Sequence, residues 1–342
     1  MKIWRYFFLF GLLITVFGLV VNLSQQKDYQ FVAIENQAVS DIVSDKDGMA
    51  FQLPFTYRLE GVISENYPSG TAKSHTAKLI CQYHGKTDTL SVSENHPAKF
   101  YQYDFYLRAT GITKTDDTMA EFCISQSPAQ TVVYLGLIWL IFVSLGWVVR
   151  FFPSDCTAGR WILVTVLVLI VIVIFLILNP MMRSKEIPPI LRSVWFIPHI
   201  VSYVFSYALL VAAFLMAVRA WWNQSAPVLE WSERLMRFGT GFYTIGLALG
   251  IIWAKSAWGS FWNWDMKETL ALITYGYYLL ICVAAHYVPY LKHNPQIGNV
   301  GNDHFSWNLS MQFWGILFLV LCWVGPMFLP HVLDTAPSLH SY

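Results

Sequence analysis

Hydrophobic and polar positions follow two different periods along this chain. After Lys2 and Arg5 an apolar run extends from Phe7 to Val21, and polar residues resume at Asn22-Leu23-Ser24-Gln25-Gln26. No small-x-small cleavage site follows, which predicts a retained membrane anchor over 1–26 rather than a removed signal peptide. Residues 27–130 instead alternate apolar with polar positions, as in Phe51-Gln52-Leu53-Pro54-Phe55-Thr56-Tyr57 and Lys78-Leu79-Ile80-Cys81-Gln82-Tyr83. Turn signals at Asp47-Gly48, Ser69-Gly70 and His84-Gly85 separate these runs, so a small β-rich domain is predicted. Six more apolar runs follow, at about 131–151, 161–179, 199–218, 236–254, 270–290 and 309–329. Each approaches the roughly 20 residues that cross a bilayer. The expected fold is a polytopic α-helical membrane protein of about seven transmembrane helices with an inserted small β-rich extracytoplasmic domain. The membrane core then occupies 131–342.

Composition agrees with that plan. The chain is 56% hydrophobic and 13% charged, which suits a lipid environment better than a water-soluble core. A net charge of +1 offers no basic footprint for nucleic acid. The five cysteines form no Cys-x-x-Cys pair, and Cys81-Gln82-Tyr83-His84 lacks the second cysteine of a haem attachment site. The chain is therefore not itself a c-type cytochrome. Cys81 and Cys123 share the β-rich domain, and an outside location leaves a disulfide between them open. With a cytoplasmic N-terminus, the inner short segments carry Lys2, Arg5, Arg150, Arg160, Arg219, Arg234, Arg237 and Lys292. The outer ones carry Arg183, Lys185, Arg192, Lys255 and Lys267, so eight cations face five, the bias expected of cytoplasmic loops. This orientation puts residues 253–269 and the C-terminus outside a bacterial cytoplasmic membrane.

The densest aromatic stretch lies in that outer loop. Trp253, Trp258, Phe261, Trp262 and Trp264 fall within twelve residues between two apolar runs. Such a loop serves either as an aromatic belt in the headgroup layer or as a platform for a flat apolar ligand. The order Trp258-Gly259-Ser260-Phe261-Trp262-Asn263-Trp264-Asp265-Met266-Lys267-Glu268-Thr269 resembles the tryptophan-rich signature of the haem-handling cytochrome c biogenesis proteins of the CcsA or ResC type. The family's form is W-G-x-Y-W-x-W-D-P-K-E-T; Phe261 stands for its Tyr and Met266 for its Pro. Asp265 and Glu268 also read as a capping box that opens the next helix, and Met266 gives up the preset turn of proline. Within 27–130, Phe51-Gln52-Leu53-Pro54-Phe55 and Asn95 to Tyr106 are similar to segments of the ResB (CcsB) partner subunit.

The histidines sort by depth. His199 opens the 199–218 run at the outer face, and His340 lies in the outer tail, so both flank the aromatic loop. Iron in a porphyrin has two axial positions, which histidine commonly fills. The resemblance implies the same pair, from Pro198-His199 with Ser202-Tyr203 and from Leu339-His340-Ser341-Tyr342. His331 is the rival second ligand, and an interfacial polar role is the alternative for each histidine. His286 lies sixteen residues into its run, roughly 24 Å down a helix, near the inner leaflet. The resemblance makes it one ligand of an intramembrane haem whose other ligand comes from a ResB/CcsB-like partner chain. Snorkelling to the inner interface is its alternative. His75, His84, His96, His293 and His304 show no metal-ligand spacing.

The resemblance thus implies a cytochrome c synthase, or haem lyase, type of subunit. Haem of b type, bound transiently as substrate, would pass from His286 to the loop. Trp253, Trp258, Trp262, Trp264 and Asp265 would hold it there between His199 and His340. The thiols of an apocytochrome c Cys-x-x-Cys-His would then be joined to it. The alternatives are a haem exporter or chaperone without ligase activity, and a solute carrier with an aromatic belt. Lys255, Lys267 and Arg192 are expected as solvated interfacial charges ahead of a role on haem propionates.

Overall fold

The structure is a computed structural model that describes residues 2–45, 48–113, 116–150, 188–292 and 301–333. Helix α1 spans Lys2–Gln25, and eight strands follow: β1 Lys27–Ile34, β2 Ser40–Ser44, β3 Ala50–Asn66, β4 Ala72–Tyr83, β5 Lys86–Ser93, β6 Ala98–Phe100, β7 Tyr103–Ile112 and β8 Thr118–Gln126. The strands form one sheet in the order β5-β4-β3-β2-β1-β8-β7-β6, and every paired neighbour is antiparallel. The two end strands, β5 and β6, follow one another in the chain with the Ser93–His96 bridge closing the turn between them, so the sheet curls into a barrel-like domain. Its interior follows the period-two pattern. Phe31, Leu53, Phe55, Leu79, Val92, Phe105, Phe122 and Ile124 belong to one buried cluster, while residues between them turn outward.

This alternation decides the cysteines. Cys81 belongs to the interior cluster, whereas Cys123 sits between the inward Phe122 and Ile124 and so faces the outer side of the wall. Both thiols are buried and free, because the pleat sends them to opposite faces.

Helix α2 covers Gln130–Arg150, α3 Phe196–Asn223, α4 Ala226–Trp258, α5 Met266–Lys292 and α6 Gly301–Leu333. Among the described residues, four stretches are long and apolar enough to cross a membrane: Tyr6–Gln25, Phe196–Asn223, Ala226–Trp258 and Phe305–Pro326. A shorter apolar helix runs over Gln130–Gly146, and α5 is helical throughout the predicted run 270–290. The run at 161–179 lies outside the described residues.

Helix α4 is the centre of the bundle. One face packs Ala248, Ile251 and Ile252 against Val133 and Leu137 of α2, and another packs Met236 and Tyr243 against α3, α5 and α6. Several polar side chains inside the bundle are paired across helices or along one helix. Ser206 Oγ donates to the Gly239 carbonyl at 2.8 Å, and the Gln312 side-chain amide donates to Ser232 Oγ and Asn308 Oδ1, each at 2.7 Å.

Candidate functional site

Helices α3, α4, α5 and α6 and the aromatic loop enclose a cleft of about 210 Å³. Phe196, His199 and Tyr203 of α3 form one wall, and Gly250 and Trp253 of α4 form the floor. Phe261 and Trp262 close the loop side, with Lys267, Glu268 and Trp323 also lining it. The helical period puts Phe196, His199, Tyr203 and Tyr207 on one stripe of α3.

His199 is held by a hydrogen bond and by neighbouring rings. Its Nδ1 lies 2.9 Å from the carbonyl oxygen of Gly246. A carbonyl only accepts, so Nδ1 carries a hydrogen, and in the neutral ring the lone pair sits on Nε2. The ring also lies 5.9 Å from Trp253 and meets Tyr203 edge-on at 4.9 Å. Space for it comes from Gly250, where a Cβ would fall 2.6 Å from His199 Cε1.

The loop tryptophans divide by environment. Trp253 is only 1% exposed and packs against Phe196 at 5.1 Å, so it is floor rather than belt. Trp262 lines the cleft and contacts Trp264 edge-on at 6.0 Å, whereas Trp264 itself is 59% exposed and has φ +57°. Trp258 is half-buried on the last turn of α4. Among the described residues, the indole N–H groups of Trp258 and Trp262 and the side-chain amide of Asn263 are buried donors with no hydrogen-bond partner.

Asp265 caps α5. Its carboxylate accepts from the Glu268 N–H at 2.7 Å, and its carbonyl accepts from Thr269 N–H at 2.9 Å. The Glu268 carboxylate accepts from Asn263 N–H at 2.7 Å. It therefore fixes the loop two residues ahead of the cap. The first turn forms without proline, starting at Met266.

Lys255 departs from its expected solvated position. It is 1% exposed, and its ammonium donates to Ser125 Oγ at 3.3 Å, Ser127 Oγ at 2.8 Å and the Gly259 carbonyl at 2.7 Å. It also lies 5.2 Å from the Tyr106 ring and 5.4 Å from Phe261. Gly259 ends α4 with φ +80°, and a Cβ there would sit 2.9 Å from Tyr106. Arg192 is likewise engaged, donating to the Lys73 carbonyl at 3.3 Å over the Tyr67 ring. Of the three cations, Lys267 keeps the solvated position expected for it and also lines the cleft.

Of the remaining predicted site residues, His286 lies on α5 and His331 on α6, while His340 falls outside the described residues. The sequence indicated His199 as the residue opening its apolar run, but not the wall it forms with Phe196 and Tyr203. Trp323 carried no such signal, because only helix packing brings α6 to the cleft.

Residues 131–294 match the Cytochrome C assembly protein family and residues 2–132 match the ResB-like family. Relatives include the cytochrome c biogenesis protein CcsA of Oenothera biennis, 27% identical over 48% of this chain and 62% of the relative. The protein of that name from Carica papaya gives the same figures. That from Chlamydomonas reinhardtii is 32% identical over 28% of this chain and 31% of the relative. The chain thus spans less than two thirds of the length of these curated relatives.

Proposed function

Because the chain joins a ResB-like N-terminal part to a C-terminal part of the cytochrome c assembly protein family, we propose that it presents haem for covalent attachment to an apocytochrome c. The observation that carries this reading is His199, tautomerically fixed by Gly246, packed beside Trp253 and facing a largely apolar cleft bounded by the tryptophan loop. A neutral imidazole with its lone pair on Nε2 is an axial ligand for iron. Tryptophan and phenylalanine faces favour the porphyrin body by burial and stacking. The unpartnered Trp262 indole N–H and the Lys267 ammonium, both on the cleft lining, suit its carboxylate edge.

His340 supplies the second axial imidazole of this external site. His286 supplies one ligand of an inner haem, completed by a ResB/CcsB-like partner chain, and b-type haem passes outward between them. The frame is seven crossings of a bacterial cytoplasmic membrane, with loop 253–269 and the C-terminus outside. The apocytochrome's histidine replaces one external ligand. Each thiol then adds across a vinyl group, sulfur to the inner carbon and hydrogen to the outer one, so no oxidant or reductant is consumed. This step requires positioning more than a catalytic acid–base pair. The fused ResB-like part supports a synthase over an exporter that releases haem unjoined.

The test is the absorption spectrum of the purified chain with co-expressed reporter apocytochrome. Bound haem and thioether product are expected, and His199→Gly should lose the haem signal and regain it with added imidazole. A purified chain without haem, or an unaltered spectrum in His199→Gly, refutes the reading.

A further inference from the structure

Strand β1 is fully paired on one side only. From Lys27 to Ile34 it lies opposite Gln126 to Met119 of β8. On its other side, among the described residues, it meets β2 at the single pair Gln30–Ser44. Ser44 Oγ donates to the Gln30 carbonyl at 3.0 Å, so the main-chain groups of Gln30 face β2. Main-chain groups alternate sides along a strand, so those of Val32 face the same way, beyond the point where the ladder stops. Strand β2 leaves there: its partners on β3 jump from Gln52 for Ile42 to Tyr57 for Ser40. The result is a cleft of about 390 Å³ in the barrel wall, between Val32–Ile34 of β1 and Tyr57–Leu59 of β3. Val32, Val39 and Ile42, at 53%, 55% and 58% exposure, are apolar side chains left in solvent around it.

An open strand edge with an apolar rim pairs with another extended chain. The seam is also continuous with the loop's anchorage. Asp28 of β1 lies opposite Ser125, and Ser125 Oγ accepts from Lys255 at the base of the loop. Val32 is four residues further along, about 13 Å of strand rise.

We propose that this seam is a β-augmentation site that takes up an extended, unfolded segment of the polypeptide substrate as an added strand along β1. The inference rests on the function proposed above, in which the substrate arrives unfolded. Main-chain hydrogen bonds then bind it with little regard to sequence, and the apolar rim favours β-branched and aromatic side chains. Once the product folds around its haem, its main chain is engaged internally and the strand is withdrawn.

Hydrogen exchange of the full-length chain in detergent tests this, with a synthetic Cys-x-x-Cys-His peptide and folded holocytochrome c as the two probes. At a peptide concentration ten times its Kd, exchange in 27–35 and 40–44 should slow about tenfold, and holocytochrome c should leave it unchanged. A photo-crosslinking side chain at Ile42 should capture the peptide, and one at Ile63, exposed elsewhere on β3, should not. Unchanged exchange at the seam, or equal capture at Ile63, overturns the inference. If that occurs while thioether product still forms, the haem-attachment reading stands without the seam. If haem and product are both absent, that reading fails, and exchange and capture still decide the seam.

Discussion

His199 depends on a hydrogen atom at position 250. Glycine in a helix ordinarily loses about 1 kcal/mol to alanine, yet here the added methyl would fall 2.6 Å from the imidazole. Gly250→Ala should therefore leave the chain folded but displace His199, and the haem absorbance of the purified protein should fall severalfold. Lys255 makes the opposite kind of contribution, since it does not line the cleft but lies against the Phe261 ring of its wall and ties that loop to the barrel-like domain. Lys255→Met keeps the apolar stem and deletes three donated bonds. Removing a buried charged donor should cost about 1.5–3 kcal/mol, read as a lower thermal midpoint with earlier proteolysis at Gly259-Ser260. The lysine was visible in the sequence, but its burial was not, because its acceptors Ser125 and Ser127 lie some 130 positions away in the chain.

Among the elements, α5 carries the clearest local logic. Asp265 and Glu268 are spaced to close a helix start, and the structure uses both, with Glu268 reaching back to Asn263. Asp265→Ala should lower stability by about 1 kcal/mol, and loop 258–264 should become more protease-sensitive because Glu268 then loses its fixed turn. At Met266 the first-turn N–H has no intrahelical acceptor to lose. Met266→Pro should therefore stabilise the chain by about 0.4–1 kcal/mol, measurable as a raised thermal midpoint with an unchanged spectrum. Helix α3 was legible as the apolar run 199–218, which the structure extends to Phe196–Asn223. What it packs against was not legible.

At the scale of the whole molecule, the barrel-like domain grips the cleft at both flanks. Lys255 ties the loop to the end of β8, while the Asn95 side chain donates to the carbonyls of Pro189 and Ile190 at 3.1 and 2.9 Å, just ahead of the His199 helix. Loosening the second grip with Asn95→Gly, which retains the φ of +61°, together with Arg192→Ala should reduce haem occupancy although neither residue lines the cleft. The barrel interior makes a separate prediction. Burial pushes the Cys81 thiol from its ordinary 9.0 up to about 12. Below about 9 both folded and unfolded thiols are protonated and the contribution to stability is complete. Between about 9 and 12 only the unfolded thiol ionises, so stability should fall as pH rises through that window. Alkylation at pH 8 should likewise leave Cys81 and Cys123 unmodified until the chain is denatured, because both thiols are buried.

Periodicity alone determined the order of anchor, β-rich domain and apolar helices, because burial on one face imposes a period of two on strands and 3.6 on helices. Local spacing likewise determined the cap at Asp265, since its partners lie within three residues. Tertiary structure alone decided which charges are buried and which surfaces meet. The Lys255 lash, the opposite faces of Cys81 and Cys123, the arrival of Trp323 at the cleft and the open seam beside β1 all join residues distant in the chain. Their positions follow from how sheets close and helices pack, and no short stretch of sequence contains that information.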